Sequence, residues 1–108
     1  MEWRVIIKEN KMDIGLAIKY AKQGRKIARE GWNDKNMFVV YMEPLSLPPY
    51  NTSDTHIKVN DRTAKFIGED TPLNCVGYMA MYTYDKTWVP GWLASQTDLL
   101  AEDWIVVE

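Results

Sequence analysis

One stretch of this chain is helical by its pattern, and almost nothing after it is. Ile14, Ala17, Ile18 and Ala21 fall at i, i+3, i+4 and i+7, the spacing that lines one face of an α-helix. Asp13 stands where an N-cap belongs, and Lys19 and Lys22 lie near the C-terminal end, where cations suit the helix dipole. Gly24 offers the positive φ wanted just past that end, while Gly15 weakens the first turn a little. The small residues on the apolar face let such a helix lie close against a sheet. Beyond Gly24 the chain turns to short β-type runs broken by Pro and Gly. One helix followed by strands predicts an α+β fold: an N-terminal helix packed on a curved antiparallel sheet, in a single small domain.

The runs can be placed in order. The β-branched and aromatic stretch from Trp3 to Ile7 reads as a short strand or extended arm. Residues 1–12 are thus an N-terminal extension or edge strand, and residues 13–108 the domain itself. Residues 25–29 extend, with Ile27 facing inward between Lys26 and Ala28, and residues 31–36 have turn composition. Residues 37–42 form a strongly apolar strand, buried on both faces or at a subunit contact. Residues 43–55 carry Pro44, Pro48 and Pro49 and read as a loop. Residues 57–59 and 62–67 read as strands, and residues 68–74, with Pro72, as a second loop. Residues 76–84 are the longest β candidate, and Asp85-Lys86 turns the chain into Trp88-Val89. After a break at Pro90-Gly91, residues 97–101 fit one helical turn capped by Ser95 or Thr97, and Trp104 leads a last strand.

Charge and rare residues narrow the function. The 13 Lys+Arg against 15 Asp+Glu give a net charge of −2, without the basic excess of a protein that binds DNA through its phosphates. Cys75 is the only cysteine and His56 the only histidine, so an internal disulfide and a His/Cys zinc site within one subunit are not expected. The N-terminus has charges on both sides of the short run Val5-Ile6-Ile7, unlike a signal peptide. No stretch approaches the roughly 20 apolar residues that cross a bilayer. These features predict a cytosolic protein.

Catalytic patterns are sparse. His56 lies in a Pro/Ser/Thr-rich region, and no Gly-x-Ser-x-Gly elbow accompanies it. Cys75 has no basic neighbour in sequence to lower its pKa and reads as a small hydrophobe. Asp98, Glu102 and Asp103 form an acidic cluster, fit either for acid–base or metal chemistry or for a solvated turn. Phosphate-loop, dinucleotide-fingerprint and HExxH motifs are absent from the sequence. The expectation is a binding protein with no catalytic residues, metal or cofactor.

Binding has better support, because the chain holds five Trp, six Tyr and two Phe. Trp32 lies in a polar turn near Arg29 and beside Asn33, an arrangement that suits the face of a nucleobase; alternatively it folds back to cover the sheet. Trp92 follows Pro90-Gly91, and Ala94 and Ser95 are small enough for a ligand to approach the backbone. Ser95, Gln96, Thr97 and Asp98 offer closely spaced donors and acceptors, with Asp98 suited to a ribose hydroxyl or an adenine amine. Trp104 heads a β-branched run and reads as core.

The run Ala28-Arg29-Glu30-Gly31-Trp32-Asn33, then an apolar strand, then residues 92–104, WLASQTDLLAEDW, resemble the phage Thoeris anti-defence 2 family. The likeness runs in order over roughly residues 14–107; residues 1–11 precede the family's usual start, and residues 43–74 are least like it. The resemblance implies a sponge. Members bind cyclic ADP-ribose-type signals such as glycocyclic ADP-ribose, made by bacterial TIR-domain proteins. They hold them intact, so that the Thoeris effector is not activated. Some members also sequester cyclic oligonucleotides. The family assembles as homotetramers with pockets at subunit interfaces, acting in the cytoplasm of the infected bacterium, with no nucleic-acid or membrane partner implied. On this reading Trp32 or Trp92 stacks on the base and Arg29 meets a phosphate. Ser95, Thr97 and Asp98 bind ribose or base edges, and Asn33, Ala94 and Gln96 complete the site. Nanomolar binding needs about −12 kcal/mol. Stacked rings at about 1–3 kcal/mol each fall short, so an enclosed pocket drawing on two subunits is expected. Two rivals remain: a metal-dependent nucleotide-cleaving enzyme built on Asp98 or Glu102, and a module that blocks an effector protein directly.

Overall fold

The computed structural model describes residues 11–32 and 36–107. The strand expected near Trp3 and the site residue Asn33 lie outside the described residues.

The helix forms as its pattern predicts. Helix α1 spans Ile14–Lys22, and Asp13 Oδ1 accepts the Leu16 N–H at 2.9 Å, satisfying one of the donors that a helix start leaves open. Ala17 and Ala21 are buried. At the far end Gly24 donates to the Ala21 carbonyl at 2.9 Å and Arg25 to the Tyr20 carbonyl at 3.2 Å. These are the two bonds of a Schellman cap, and Gly24 holds the φ of 92° that the cap requires.

Helix α1 packs on a five-stranded antiparallel sheet built from β1 (Lys26–Arg29), β2 (Phe38–Met42), β5 (Tyr78–Tyr82), β6 (Trp88–Pro90) and β7 (Trp104–Val107). The spatial order is β6-β5-β2-β1-β7, so β1 and β7, the first and last strands among the described residues, are neighbours. Ile27 stands opposite Val39 on one side and Val106 on the other. With Met12, Ala17, Ala21, Met81 and Trp104 they form the main core, on the helix side of the sheet. Ala28, expected to flank Ile27 outward, is itself fully buried, in a second cluster with Ile105 and Val107. Alternation fails there because β1 and β7 are covered on both faces. The central strand β2, expected to be buried on both faces or at a subunit contact, has Val39 buried, Phe38, Val40 and Tyr41 half-buried and Met42 exposed. Met12 extends the sheet by a backbone bridge to Trp104, with both N–H···O bonds at 3.0 Å.

The β5–β6 hairpin turns at Asp85-Lys86 as read from the sequence. Thr83 donates its N–H to the Thr87 carbonyl at 2.9 Å, Lys86 takes a φ of 65°, and the Thr83 hydroxyl donates to the Asp85 carboxylate.

The chain divides into two compact units, residues 43–77 forming the smaller. Here four expected segments are corrected. Residues 62–67, expected as a strand, belong to helix α2 (Asp61–Ile67). Asn60 Oδ1 accepts the Thr63 N–H at 2.8 Å and starts the helix, and Gly68, at φ 100°, ends it. A cap at each end outweighs the β-leaning composition of Thr63, Phe66 and Ile67. Residues 57–59, also expected as a strand, have no ladder partner; Val59 is buried and donates its N–H to the Pro48 carbonyl at 3.0 Å. The two expected loops instead contribute short strands, β3 (Leu45–Leu47) and β4 (Leu73–Cys75), paired antiparallel with Leu45 opposite Cys75. Their pairing is non-local, and three-residue strands give little periodicity to read.

No helix among the described residues is long and apolar enough to cross a membrane.

Candidate functional site: an arginine between two aspartates under three tryptophans

The site assembles where the end of β1, helix α3 (Gln96–Leu100) and the start of β7 meet. Ser95 is the N-cap of α3, and its Oγ accepts the Asp98 N–H at 3.1 Å. That bond fixes Asp98 in the first helical turn, with its carboxylate turned toward the end of β1. Asp98 Oδ1 accepts from Arg29 Nη1 at 2.9 Å and from the Trp32 indole Nε1 at 3.3 Å. Arg29 Nε donates to Asp103 Oδ1 at 2.9 Å, and the other oxygen of Asp103 accepts the Gly31 N–H at 2.8 Å. The Asp103 backbone carbonyl also takes the Glu30 N–H at 3.0 Å, and Glu30 pairs with Lys11 at 2.8 Å.

Three indoles lie over this polar network. Trp104 is fully buried and donates its Nε1–H to the Asp98 backbone carbonyl at 3.0 Å. Its ring meets Trp32 at 5.4 Å and Trp92 at 6.3 Å between centroids, and Trp32 and Trp92 are 6.5 Å apart. All three pairs are edge-to-face, the arrangement that aligns ring quadrupoles favourably. The Trp92 backbone N–H donates to the Met79 carbonyl at 2.8 Å. Trp32 and Trp92 are half-buried, so each both covers the core and keeps ring surface toward solvent.

Charge in the network is one guanidinium against two carboxylates. Burial pushes both carboxyls up. For Asp98, the hydrogen bonds from Arg29, Trp32 and Ser95 together outweigh it and hold the group below the usual carboxylate range. For Asp103, bonds from Arg29 and the Gly31 N–H do the same, with the positive charge of Arg29 adding to them. The Asp103 bond, ahead of that from Asp98, raises Arg29 further above its already high value.

Of the residues singled out in the sequence, Arg29, Trp32, Trp92, Ser95 and Asp98 come together here. Ala94 is half-buried just before α3, and Gln96 and Thr97 are exposed on its first turn. Arg29, expected to await a phosphate, has Nε and Nη1 engaged by carboxylates. The acidic cluster resolves into two roles: Asp98 and Asp103 turn inward to Arg29, and Glu102 is exposed. His56 is exposed and Cys75 half-buried, both in the 43–77 unit. Among the described residues, no three His, Cys, Asp or Glu side chains converge as a metal-ligating group.

Sequence reasoning missed Asp103 as the partner of Arg29, and Gly31 as part of the same contact. A Cβ on Gly31 would stand 2.7 Å from Asp103 Oδ2, so the glycine is what lets the carboxylate reach the backbone. The signal that reveals this is the pairing of Arg29 with Trp104 across β1 and β7, which is not visible along the chain.

A family model for the Thoeris anti-defense 2-like domain matches residues 12–107. The chain belongs to that family. It is also 34% identical over 99 residues to "Thoeris anti-defense 2" of Bacillus phage SP01, covering 92% of this chain and 98% of that protein. The family match opens at Met12, the residue that bridges to Trp104, and takes in the whole Arg29–Asp98–Asp103 network.

Proposed function

We propose that this anti-defence protein counters Thoeris as a non-catalytic sponge, which binds a cyclic ADP-ribose-type signal such as glycocyclic ADP-ribose and withholds it from the effector. The observation that carries the reading is the pair of half-buried indoles, Trp32 and Trp92, packed edge to face, with the Trp32 N–H held by Asp98 on the first turn of α3. Fixed aromatic faces suit a nucleobase because stacking then demands little reordering on binding. Gln96 and Thr97 lie exposed on that turn for ribose or base edges, with Ala94 and Ser95 at its start. Arg29 meets a phosphate through Nη2, since its Nε and Nη1 are taken by Asp103 and Asp98. Two carboxylates already surround this cation. The network therefore favours the donor-rich base and ribose over both phosphates, and further phosphate contacts come from a second subunit.

Assembly as a homotetramer with interfacial pockets, and action in the cytoplasm of the infected bacterium, complete the reading. A sponge needs affinity and copy number rather than turnover, and the inward carboxylates serve Arg29 instead of a reacting centre.

Calorimetric titration with glycocyclic ADP-ribose tests the reading. It predicts saturable binding that Trp32→Ala and Trp92→Ala each weaken by about 1–3 kcal/mol, the range of one stacked ring. Unchanged affinity in both variants, in protein that still folds, contradicts the site.

A further inference from the structure

We infer that Asp103 is a positioning residue of this site, clamping the turn of residues 29–31 so that Arg29 and Trp32 converge on one oxygen of Asp98. Its consequence for ligand binding rests on the sponge reading; its structural part does not.

Three bonds make the clamp. Asp103 binds Arg29 Nε and the Gly31 N–H through different carboxylate oxygens, and the Glu30 N–H through its backbone carbonyl. Three successive residues are thus tied to one residue at the foot of β7. The guanidinium is rigid and planar, so anchoring Nε to Asp103 sets the direction in which Nη1 points. That direction ends on Asp98 Oδ1, which also receives the Trp32 indole. Trp32 follows directly on the clamped turn, so Asp103 acts on the ring through Arg29 and Gly31 and touches no ligand itself. Gly31 belongs to the same device, since any Cβ there would stand 2.7 Å from the Asp103 carboxylate. The glycine is needed for close approach, which explains why it stands between Glu30 and Trp32.

The test uses the full chain with Asp103→Ala, Asp103→Asn, Gly31→Ala and the Asp103→Ala/Gly31→Ala double variant, with exposed Glu102→Gln as control. The first readout needs no ligand: the indole N–H resonance of Trp32 in 15N-labelled protein, assigned with Trp32→Phe. The second is the Kd for glycocyclic ADP-ribose. Asp103→Ala and Gly31→Ala each move the Trp32 resonance and raise Kd by about tenfold or more, and the double variant adds little to Asp103→Ala, because without the carboxylate a Cβ at position 31 has no bond left to break. Asp103→Asn, which can still accept the Gly31 N–H, falls between wild type and Asp103→Ala; Glu102→Gln changes neither readout.

A Trp32 resonance unmoved in folded Asp103→Ala overturns the inference, as do single effects that add in full. A moved resonance with unchanged Kd overturns its ligand-binding part. Should Asp103→Ala not fold, Asp103→Asn and Gly31→Ala carry the same comparison. If wild-type protein does not bind the nucleotide, the sponge reading fails, and the resonance still decides the role of Asp103.

Discussion

Arg29 and Asp98 are 69 residues apart in the chain and 2.9 Å apart in the fold. The contact joins the first strand of the sheet to the helical turn before the last, and each partner has a further bond: Arg29 to Asp103, and Asp98 to the indole of Trp32. An ion pair this enclosed, with about one-sixth of each side chain exposed, is neither a solvated surface pair nor a dry core pair.

Removing the cation should therefore be worse than removing either anion. Arg29→Ala leaves two carboxylates facing each other without a counter-charge, and should destabilise by about 2–4 kcal/mol, between the surface and fully buried cases. Arg29→Lys should recover less than half of that loss, because one ammonium cannot reproduce the fork that serves Asp98 and Asp103 together. Urea unfolding followed by tryptophan fluorescence measures both.

The acid limb of stability should carry the signature of these carboxylates. Asp98 and Asp103 are held below the ordinary carboxylate range when folded, so the unfolded chain takes up their protons first as pH falls. Their contribution is present in full above the unfolded value of about 3.9, and is lost as pH falls from there through the lower folded values. Unfolding free energy measured from pH 6 downward should drop more steeply below about pH 4 in wild type than in the Asp98→Asn/Asp103→Asn variant. An equal slope in the two proteins would count against the network.

Trp104 is structural, whereas the proposed site gives Trp92 to the ligand. Its side chain is fully buried and its N–H satisfies the Asp98 carbonyl. Trp104→Phe should cost about 2–3 kcal/mol through lost volume and an unmade hydrogen bond, as thermal or urea unfolding reads it. Trp92→Ala, at a half-buried ring, should cost less stability and more affinity.

The 43–77 unit offers a check on the fold itself. If residues 61–67 are helical, Asn60→Ala should destabilise by about 1 kcal/mol and Asn60→Asp should be nearly neutral, since Asp caps as well as Asn. Amide exchange at Thr63 and Ala64 reads the effect locally.

What the sequence disclosed divides along physical lines. Helix α1, with its cap at Asp13 and its positive φ at Gly24, was legible because each signal lies within a turn of the next. So was the α3 turn, read over residues 97–101 with Ser95 or Thr97 as its cap and formed over Gln96–Leu100 with Ser95 in that place, along with the long β-type runs. The burial of Ala28 was not, because it depends on the second face of β1 being covered, where Ile105, Val107, Trp32 and Phe38 gather from separate parts of the chain. Helix α2 is not legible, because Phe66 and Ile67 lean toward β and the caps that set the helix, Asn60 and Gly68, lie outside that run. In the site, Trp32, Trp92 and Asp98 stood out by type and setting. The bond between Arg29 and Asp103 did not, since it arises from a strand pairing across 74 residues. Trp32 folds back onto Trp104, as one of its two readings expected, and is half-buried there.

The most direct test of the sponge is capture and release. Purified protein is mixed with the products of an activated TIR-domain enzyme, freed of unbound ligand and denatured by heat, and the released material is identified by mass spectrometry. The account predicts an intact cyclic ADP-ribose isomer in stoichiometric amount, lost in the Trp32→Ala/Trp92→Ala variant. A cleaved nucleotide would make the protein an enzyme. Release of no nucleotide, with binding to the effector protein alone, would make it an interaction module; either result contradicts the account.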